Sequence, residues 1–210
     1  MTDRIIHGPE DVAEGAAWLA ALDPRFADAL ELVGTLPLRR RSGGFPAMLQ
    51  AICGQQLSTA SAAAVWDRLC KADATEPAAL SRMDDQALRD LGMSRPKIKY
   101  IRALVEADID YPALAHMPED DAIATLTAVK GIGSWTAEIY LMFAVGRADV
   151  LAAGDLALQE AARLIFDLPA RPNEKEMREL ARAWSPWRAV AARLLWAYYR
   201  AAKNREGIQE

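Results

Sequence analysis

The sequence has few of the side chains that build metal sites and disulfide-stabilised folds. Its 210 residues include two cysteines, Cys53 and Cys70. That is too few for a four-cysteine zinc or iron–sulfur site, or for a disulfide framework. The two histidines, His7 and His116, are far apart, and neither has a second histidine one helical turn away. The sequence therefore predicts no metal bound by side chains and no cofactor.

Long apolar runs are missing as well. No stretch approaches the ~20 apolar residues that span a bilayer. The N-terminal residues Met1-Thr2-Asp3-Arg4 lead into an acidic segment and do not have the pattern of a signal peptide. We therefore expect a soluble, cytoplasmic protein without a membrane partner, and we expect it to be a monomer.

Positive charge is not in excess. The 25 Lys and Arg are outnumbered by 29 Asp and Glu, which gives a formal net charge of −4 and a pI near 5.4. DNA-binding domains usually present a basic surface, so this balance disfavours DNA binding unless the cations are concentrated on one face. The basic helical face formed by Arg95, Lys97, Lys99 and Arg102 is interpreted as solvated surface.

Helical periodicity, in contrast, is present along most of the chain. Apolar residues recur at helical spacing from Phe45 to Cys53 and again from Trp187 to Tyr198. No stretch of five or more residues alternates as a strand does. The sequence predicts an all-α fold with further helices over 11–32 (interrupted at Asp23-Pro24), 58–70, 98–105 and 161–168, and others starting near Pro77 and Pro112.

The connections between these helices are short, and none has the composition of a flexible linker. We predict two helical lobes that pack against each other and leave a cleft. The central lobe spans 45–144, and the terminal lobe combines 1–44 with 145–210.

A tight helical hairpin is predicted at Gly131-Ile132-Gly133. The isoleucine would anchor the hairpin in the core, while the glycines let backbone N–H groups approach a partner closely. The next helix would direct its N-terminal amides outward, which suits a phosphate. A lone Gly-x-Gly fits a plain helix–helix turn at least as well, so the interpretation depends on the residues that follow.

One of these is Asp155, twenty residues beyond Trp135. Gly154-Asp155 opens another predicted helix, where Asp155 has the place of an N-cap. A helix N-terminus also favours negative charge. Capping and a catalytic role are compatible, because one carboxylate oxygen can cap while the other faces a substrate.

In this order and spacing, the motifs resemble the helix-hairpin-helix, Gly/Pro-Asp (HhH-GPD) DNA glycosylases, and within them 3-methyladenine DNA glycosylase II. The resemblance covers roughly residues 20–202. It implies a short form, without the N-terminal β domain of the longest members, that acts on double-stranded DNA containing alkylated bases. Its specific parts are Gly54-Gln55-Gln56-Leu57-Ser58, Val129 to Ala137, Asp149-Val150 through Gly154-Asp155, and Trp184 to Arg188 with Trp196.

The resemblance implies that Asp155 is catalytic and stabilises the cationic sugar that forms as the glycosidic bond breaks. It implies that Gly131 and Gly133 hold a DNA phosphate, and that a monovalent cation can bind loop carbonyls near Val129 and Ile132. The neighbouring residues predicted to contact DNA are Lys130, Ser134 and Thr136.

Base extrusion requires a side chain that fills the gap in the duplex. The resemblance places Gln56 at this wedge position with Gln55 beside it, although both could equally be helix caps or solvated amides. It implies a base pocket of Trp135, Trp196 and Ile139, whose indoles would stack on a cationic alkylated purine. Trp184 and Trp187 are expected to be structural, packing lobe against lobe.

Trp135 occupies the position at which members that also cut the DNA backbone carry a nucleophilic lysine. We therefore predict a monofunctional enzyme; a bifunctional glycosylase-lyase and a non-catalytic DNA-binding module are the alternatives. Trp135 could also be a plain core residue. The chain departs from the family at Lys130 and Ala152, where proline is frequent, and at Ile139, where some relatives carry an aromatic residue.

Overall fold

The computed structural model describes residues 4–205, apart from the side chains of Thr59, Asn204 and Arg205, and this part of the chain is helical. The all-α prediction is confirmed. The α-helices are α1 Pro9–Leu22, α2 Pro24–Val33, α3 Gly44–Gly54, α4 Thr59–Lys71, α5 Pro77–Arg82, α6 Asp85–Asp90, α7 Arg95–Glu106, α8 Glu119–Thr127, α9 Ser134–Tyr140, α10 Leu156–Ile165, α11 Glu174–Leu180 and α12 Arg188–Arg205.

Shorter elements complete the path. Short 3₁₀ helices cover Ala113–Ala115 and Ala181–Trp184, and one π-helical segment, Leu141–Val145, follows α9. Within the described residues, extended pairing is limited to an isolated antiparallel bridge between Ile5 and Arg147.

Several helix boundaries follow local sequence signals. The interruption predicted at Asp23-Pro24 is confirmed, because Asp23 ends α1 and caps α2 by accepting a bond from the backbone N–H of Arg25 at 2.9 Å. The helix predicted from Ser58 is α4, which begins at Thr59 with Ser58 as its N-cap. Pro77 is the first residue of α5, as predicted.

A helix begins next to Pro112, as predicted, and it is the short 3₁₀ helix Ala113–Ala115. One predicted boundary is wrong. The helix predicted over 161–168 ends early, because α10 stops at Ile165 and Asp167 takes a left-handed φ of 49°. The Leu168 N–H then bonds to the carbonyl oxygen of Arg163 at 2.9 Å, which closes the helix C-terminus and removes Leu168 from its apolar stripe.

The described chain forms two compact units. The first unit combines residues 4–40 with 141–205, and the second unit is Arg41–Tyr140. Both boundaries lie a few residues before the predicted ones, at 44/45 and 144/145.

The first unit has an aromatic core. The rings of Phe26, Phe166 and Trp184 pack with centroids 5.3–5.7 Å apart. Trp187 is fully buried against α1 at Gly15, where an added Cβ would lie 2.6 Å from its indole. Both tryptophans thus support the interior of this unit.

The second unit is built around α3. The apolar face predicted from Phe45 to Cys53 is confirmed, since its five periodic residues are all buried. α3 packs against α4, α7 and α9, and α8 packs against α9. This arrangement brings the end of α3 close to the connection between α8 and α9, where the hairpin was predicted.

Candidate active site and nucleic-acid interface

The predicted hairpin is the connection from α8 to α9. Ile132 is buried, as predicted for its anchor. Gly131 has a φ of 96°, and a Cβ placed there would lie 2.3 Å from Cγ of Tyr100 on α7. Position 131 therefore requires glycine for both its backbone conformation and its contact with Tyr100. Gly133 has no neighbour within 4 Å of an added Cβ, so its backbone is open to a partner.

The residues that flank the hairpin differ in exposure. Lys130 and Ser134 are exposed, and Thr136 is half-buried. The carbonyl oxygen of Val129 accepts a bond from the Ile132 N–H at 3.0 Å. Since a carbonyl oxygen has two lone pairs, this bond is compatible with a cation ligand at the same atom.

Trp135, the second residue of α9, is 48% exposed. The alternative that Trp135 is a core residue is therefore wrong. Ile139, one turn later, is half-buried. An exposed indole beside the hairpin has the surface that a stacking partner needs.

The predicted wedge lies in a tight turn between α3 and α4. The Leu57 N–H bonds to the carbonyl oxygen of Gly54 at 3.2 Å, Gln55 has φ −53° and ψ 131°, and Gln56 has φ 56°. These values match a type II turn, which favours glycine at the position of Gln56. A non-glycine residue in a left-handed conformation costs on the order of 1 kcal/mol. The turn therefore holds an exposed glutamine where glycine would be the more stable residue.

The side chain of Gln55 does not extend into solvent. Its Nε2 donates a hydrogen bond to the carbonyl oxygen of Gly131 at 2.8 Å. The structure thus brings two of the predicted DNA-contacting residues together and connects the turn after α3 directly to the hairpin. The alternative of a solvated amide is wrong for Gln55.

The basic face of α7 also differs from the expected solvated surface. Lys97 is partly buried, and its Nζ donates to the carbonyl oxygen of Cys53 at 2.5 Å. Burial lowers the pKa of Lys97 and raises the pKa of the Cys53 thiol to about 12. Arg102 donates to the carbonyl oxygens of Leu80 and Met83 at 2.7 and 2.6 Å. Lys97 and Arg102 thus bind carbonyl oxygens at the C-terminal ends of α3 and α5. The interpretation as plain solvated surface is therefore wrong for both residues.

Asp155 belongs to the first unit and caps α10. Its Oδ1 accepts hydrogen bonds from the backbone N–H groups of Ala157 at 2.9 Å and Leu158 at 3.1 Å. The predicted N-cap is confirmed. Asp155 is half-buried, and the next residue, Leu156, is 62% exposed. The two amides fix the orientation of the carboxylate.

The backbone that presents Asp155 is held from inside the unit. The Asp155 N–H bonds to the carbonyl oxygen of Ala152 at 3.0 Å, and the buried Gln159 side chain donates to that of Ala153 at 2.9 Å. A Cβ at Gly154 would lie 3.3 Å from a carboxylate oxygen of Glu174. Hydrogen bonds therefore hold this loop where it meets the helix.

A polar cluster braces the start of the same loop. Asp149 accepts bonds from the Ser185 hydroxyl at 2.7 Å and from Arg188 Nε at 2.6 Å, and its carbonyl oxygen accepts a third from Arg188 Nη2 at 2.7 Å. The Ala189 N–H bonds to the carbonyl oxygen of Ala148 at 2.8 Å. Two motifs that are far apart in the sequence thus form one support for the Asp155 loop.

Trp196, the other predicted pocket tryptophan, is half-buried on α12. Its ring lies 5.8 Å from that of Phe143, centroid to centroid, and the guanidinium of Arg193 stands 4.9 Å from the Phe143 centroid. Arg193 is 1% exposed and donates to the carbonyl oxygens of Leu38 and Ala189. Burial lowers the pKa of Arg193 to about 10. This buried cation supports the ring behind Trp196.

The predicted site residues are thus divided between the units: Asp155 and Trp196 lie in the first, and the Gln55-Gln56 turn, the hairpin, Trp135 and Ile139 lie in the second. Across residues 4–205, no three His, Cys, Asp or Glu are grouped as a metal site. In the same part of the chain, no helix has the length and apolar character to cross a membrane.

Comparison with known proteins identifies relatives over most of the chain. Residues 49–186 match the HhH-GPD superfamily of base excision DNA repair proteins. A crystal structure of a DNA-3-methyladenine glycosidase from Bacillus halodurans is 32% identical, with a TM-score of 0.82 over 98% of this chain and 95% of that one. The structure of the Schizosaccharomyces pombe 3-methyladenine DNA glycosylase Mag1 in complex with abasic DNA is 27% identical, with a TM-score of 0.73 over 87% and 95%. The alkylbase DNA glycosidase-like protein mag2 of Schizosaccharomyces pombe is 28% identical over 190 residues, covering 85% of this chain and 89% of mag2.

Proposed function

Because the chain belongs to the HhH-GPD superfamily of base excision DNA repair proteins, we propose that it is a monofunctional DNA glycosylase that removes alkylated bases from double-stranded DNA. The observation that carries the proposal is Asp155, whose carboxylate is held by two amides at the start of α10 on a braced loop. The 3-methyladenine glycosylase names of the similar proteins support the substrate class.

In this proposal Asp155 provides electrostatic stabilisation. As the glycosidic bond breaks, the deoxyribose acquires positive charge. The Asp155 carboxylate faces this charge and stabilises it, and it also orients the attacking water. At about 4 Å and an effective dielectric near 20, a pair of unit charges is worth about 4 kcal/mol. That corresponds to about three decades of rate. The amides at Oδ1 keep the carboxylate oriented before the charge develops.

The exposed indole of Trp135 suits the proposed substrate. N-alkylation at N3 or N7 makes a purine cationic, so the base leaves readily and stacks on an electron-rich ring with about 0.5–2 kcal/mol per contact. Trp196 and Ile139 are proposed as further contacts of the extruded base. Trp135 carries no amine, so a Schiff base at this position is not available and hydrolysis by water is the proposed route.

The hairpin is proposed to hold the DNA backbone. The open Gly133, the amides at the start of α9 and the exposed Lys130 are suited to one or a few phosphates. Carbonyl oxygens of Val129 and Ile132 would hold a monovalent cation. The positive charge of this cation would attract the negatively charged phosphate. The exposed Gln56 would occupy the gap that the extruded base leaves.

Base release is the direct test of the proposed activity. Incubation with methylated duplex DNA should release N-alkylpurines and leave strands intact until alkali cleaves the abasic sites, and borohydride should trap no protein–DNA adduct. An adduct would favour the bifunctional alternative, with an amine such as Lys130 as nucleophile. Binding without base release would favour the non-catalytic module.

Salt dependence tests the proposed DNA contacts. Since the net charge is −4, affinity should come from a few local contacts around the hairpin, and log K should fall with log salt at a slope equivalent to roughly two to four phosphates. Lys130→Met should reduce this slope by about one phosphate. A salt-independent affinity, or an unchanged slope in Lys130→Met, would contradict the assignment.

A further inference from the structure

Two polar side chains fasten the turn that carries Gln56. Gln55 Nε2 binds the Gly131 carbonyl oxygen at 2.8 Å, which joins the turn to the hairpin. Lys97 Nζ binds the Cys53 carbonyl oxygen at 2.5 Å, which joins the last turn of α3 to the first turn of α7. The turn is therefore joined directly to the hairpin, and the helix end that leads into it is joined to α7.

We propose that Gln55 and Lys97 are positioning residues for base extrusion. The inference rests on the proposed function, in which Gln56 enters the duplex. A side chain that separates stacked bases works against a cost of a few kcal/mol, and the backbone that carries it must resist being pushed back. The turn's own closing bond is a single one of 3.2 Å, and Gln56 sits in the left-handed region. By itself the turn would resist displacement only weakly. The hydrogen bonds of Gln55 and Lys97 add the resistance that base extrusion requires.

The Gln55 anchor also connects two segments that are far apart in the sequence and have different proposed functions. The Gln55 bond connects the hairpin, proposed to hold a phosphate, to the turn, proposed to fill the gap. Lys97 is partly buried, and its Nζ donates a hydrogen bond to the main-chain carbonyl oxygen of Cys53. This bond fixes the end of α3, which leads into the turn, relative to α7.

The test separates extrusion from chemistry. Gln55→Met and Lys97→Met keep side-chain length and remove the donors. Single-turnover excision of 7-methylguanine is compared in a fully paired duplex and in the same duplex with an abasic site opposite the lesion, where less pairing must be broken. On the paired duplex we expect about tenfold slower excision for each variant. On the unpaired lesion the rates should stay within about threefold of the parent protein.

Three further variants calibrate the result. Gln56→Gly, which removes the inserted side chain and suits the turn, should show the same preference for the unpaired lesion. Gln86→Met loses an exposed bond to Asp90, and Lys71→Met loses an exposed ion pair with Asp67; both should behave as the parent protein on both substrates. If Gln55→Met does not fold, Gln55→Glu keeps the shape and replaces the donor by an acceptor.

Equal losses on both substrates would mean that the anchors are merely structural and would overturn the inference, as would rates equal to those of the control variants. Failure of the proposed function is a different result, because the unaltered protein would then release base from neither substrate.

Discussion

Asp155→Asn should reduce base excision by on the order of a hundredfold or more while leaving the fold and DNA binding almost unchanged. Asparagine caps a helix about as well as aspartate, and its amide oxygen can accept the same bonds from Ala157 and Leu158. The substitution removes only the charge that faces the cationic transition state, and loss of a preorganised electrostatic group typically costs 10²–10³ in rate.

The expected loss depends on the lesion. Cationic N3- and N7-alkylpurines leave readily, so they should lose least, and neutral lesions should lose most. Single-turnover rates for both classes, with thermal melts and binding to lesion-containing duplex, provide the measurement.

Asp23→Asn is the matched control for this prediction. Asp23 is also an N-cap aspartate of the first unit, where it caps α2 and pairs with Arg25. This substitution should leave excision at the parent rate. If Asp155→Asn retains nearly full excision of cationic purines, Asp155 is only a cap and its catalytic assignment fails.

The helices could be predicted because each depends on neighbours in sequence. The period from Phe45 to Cys53 fixed which face of α3 is buried, and Asp23-Pro24 marked a helix junction by local chemistry. The N-cap at Asp155 was equally local. The periodicity predicts Leu168 within the helix, but Asp167 takes a left-handed conformation and ends the helix before it.

Long-range polar partners could not be predicted in this way. Lys97 shares an amphipathic pattern with exposed lysines, and only the packing of α7 against α3 turns it toward the Cys53 carbonyl. The same holds for Asp149, whose partners Ser185 and Arg188 lie on a distant motif. Both motifs are part of the resemblance to the family. The hydrogen bonds that connect them, however, depend on the tertiary fold.

Gly131 is explained partly by a local sequence signal and partly by a tertiary contact. A tight turn explains why glycine is expected there, yet the contact with Tyr100 depends on how α7 packs beside the hairpin. Gly133 looks the same in sequence and is in open space. The two glycines therefore predict different responses to the same substitution.

Gly131→Ala should lower the free energy of unfolding by roughly 3 kcal/mol, since a left-handed φ for alanine costs about 1 kcal/mol and overpacking against a ring about 1–3 kcal/mol. Relief of the clash would displace the Gly131 carbonyl to which Gln55 donates, so excision from paired duplex should fall as well. Gly133→Ala, which meets no neighbour, should change stability by less than about 0.5 kcal/mol. Denaturant unfolding monitored by tryptophan fluorescence measures both.

Tyr100→Ala separates the two costs within Gly131→Ala. Removing the ring eliminates the overlap at 2.3 Å but not the backbone strain. The double variant should therefore be less destabilised than the sum of the single variants, by about 1–2 kcal/mol, as expected for residues in contact. Additive losses would show that Tyr100 does not constrain position 131. Equal stabilities of Gly131→Ala and Gly133→Ala would show that neither the left-handed backbone nor the ring requires glycine at position 131.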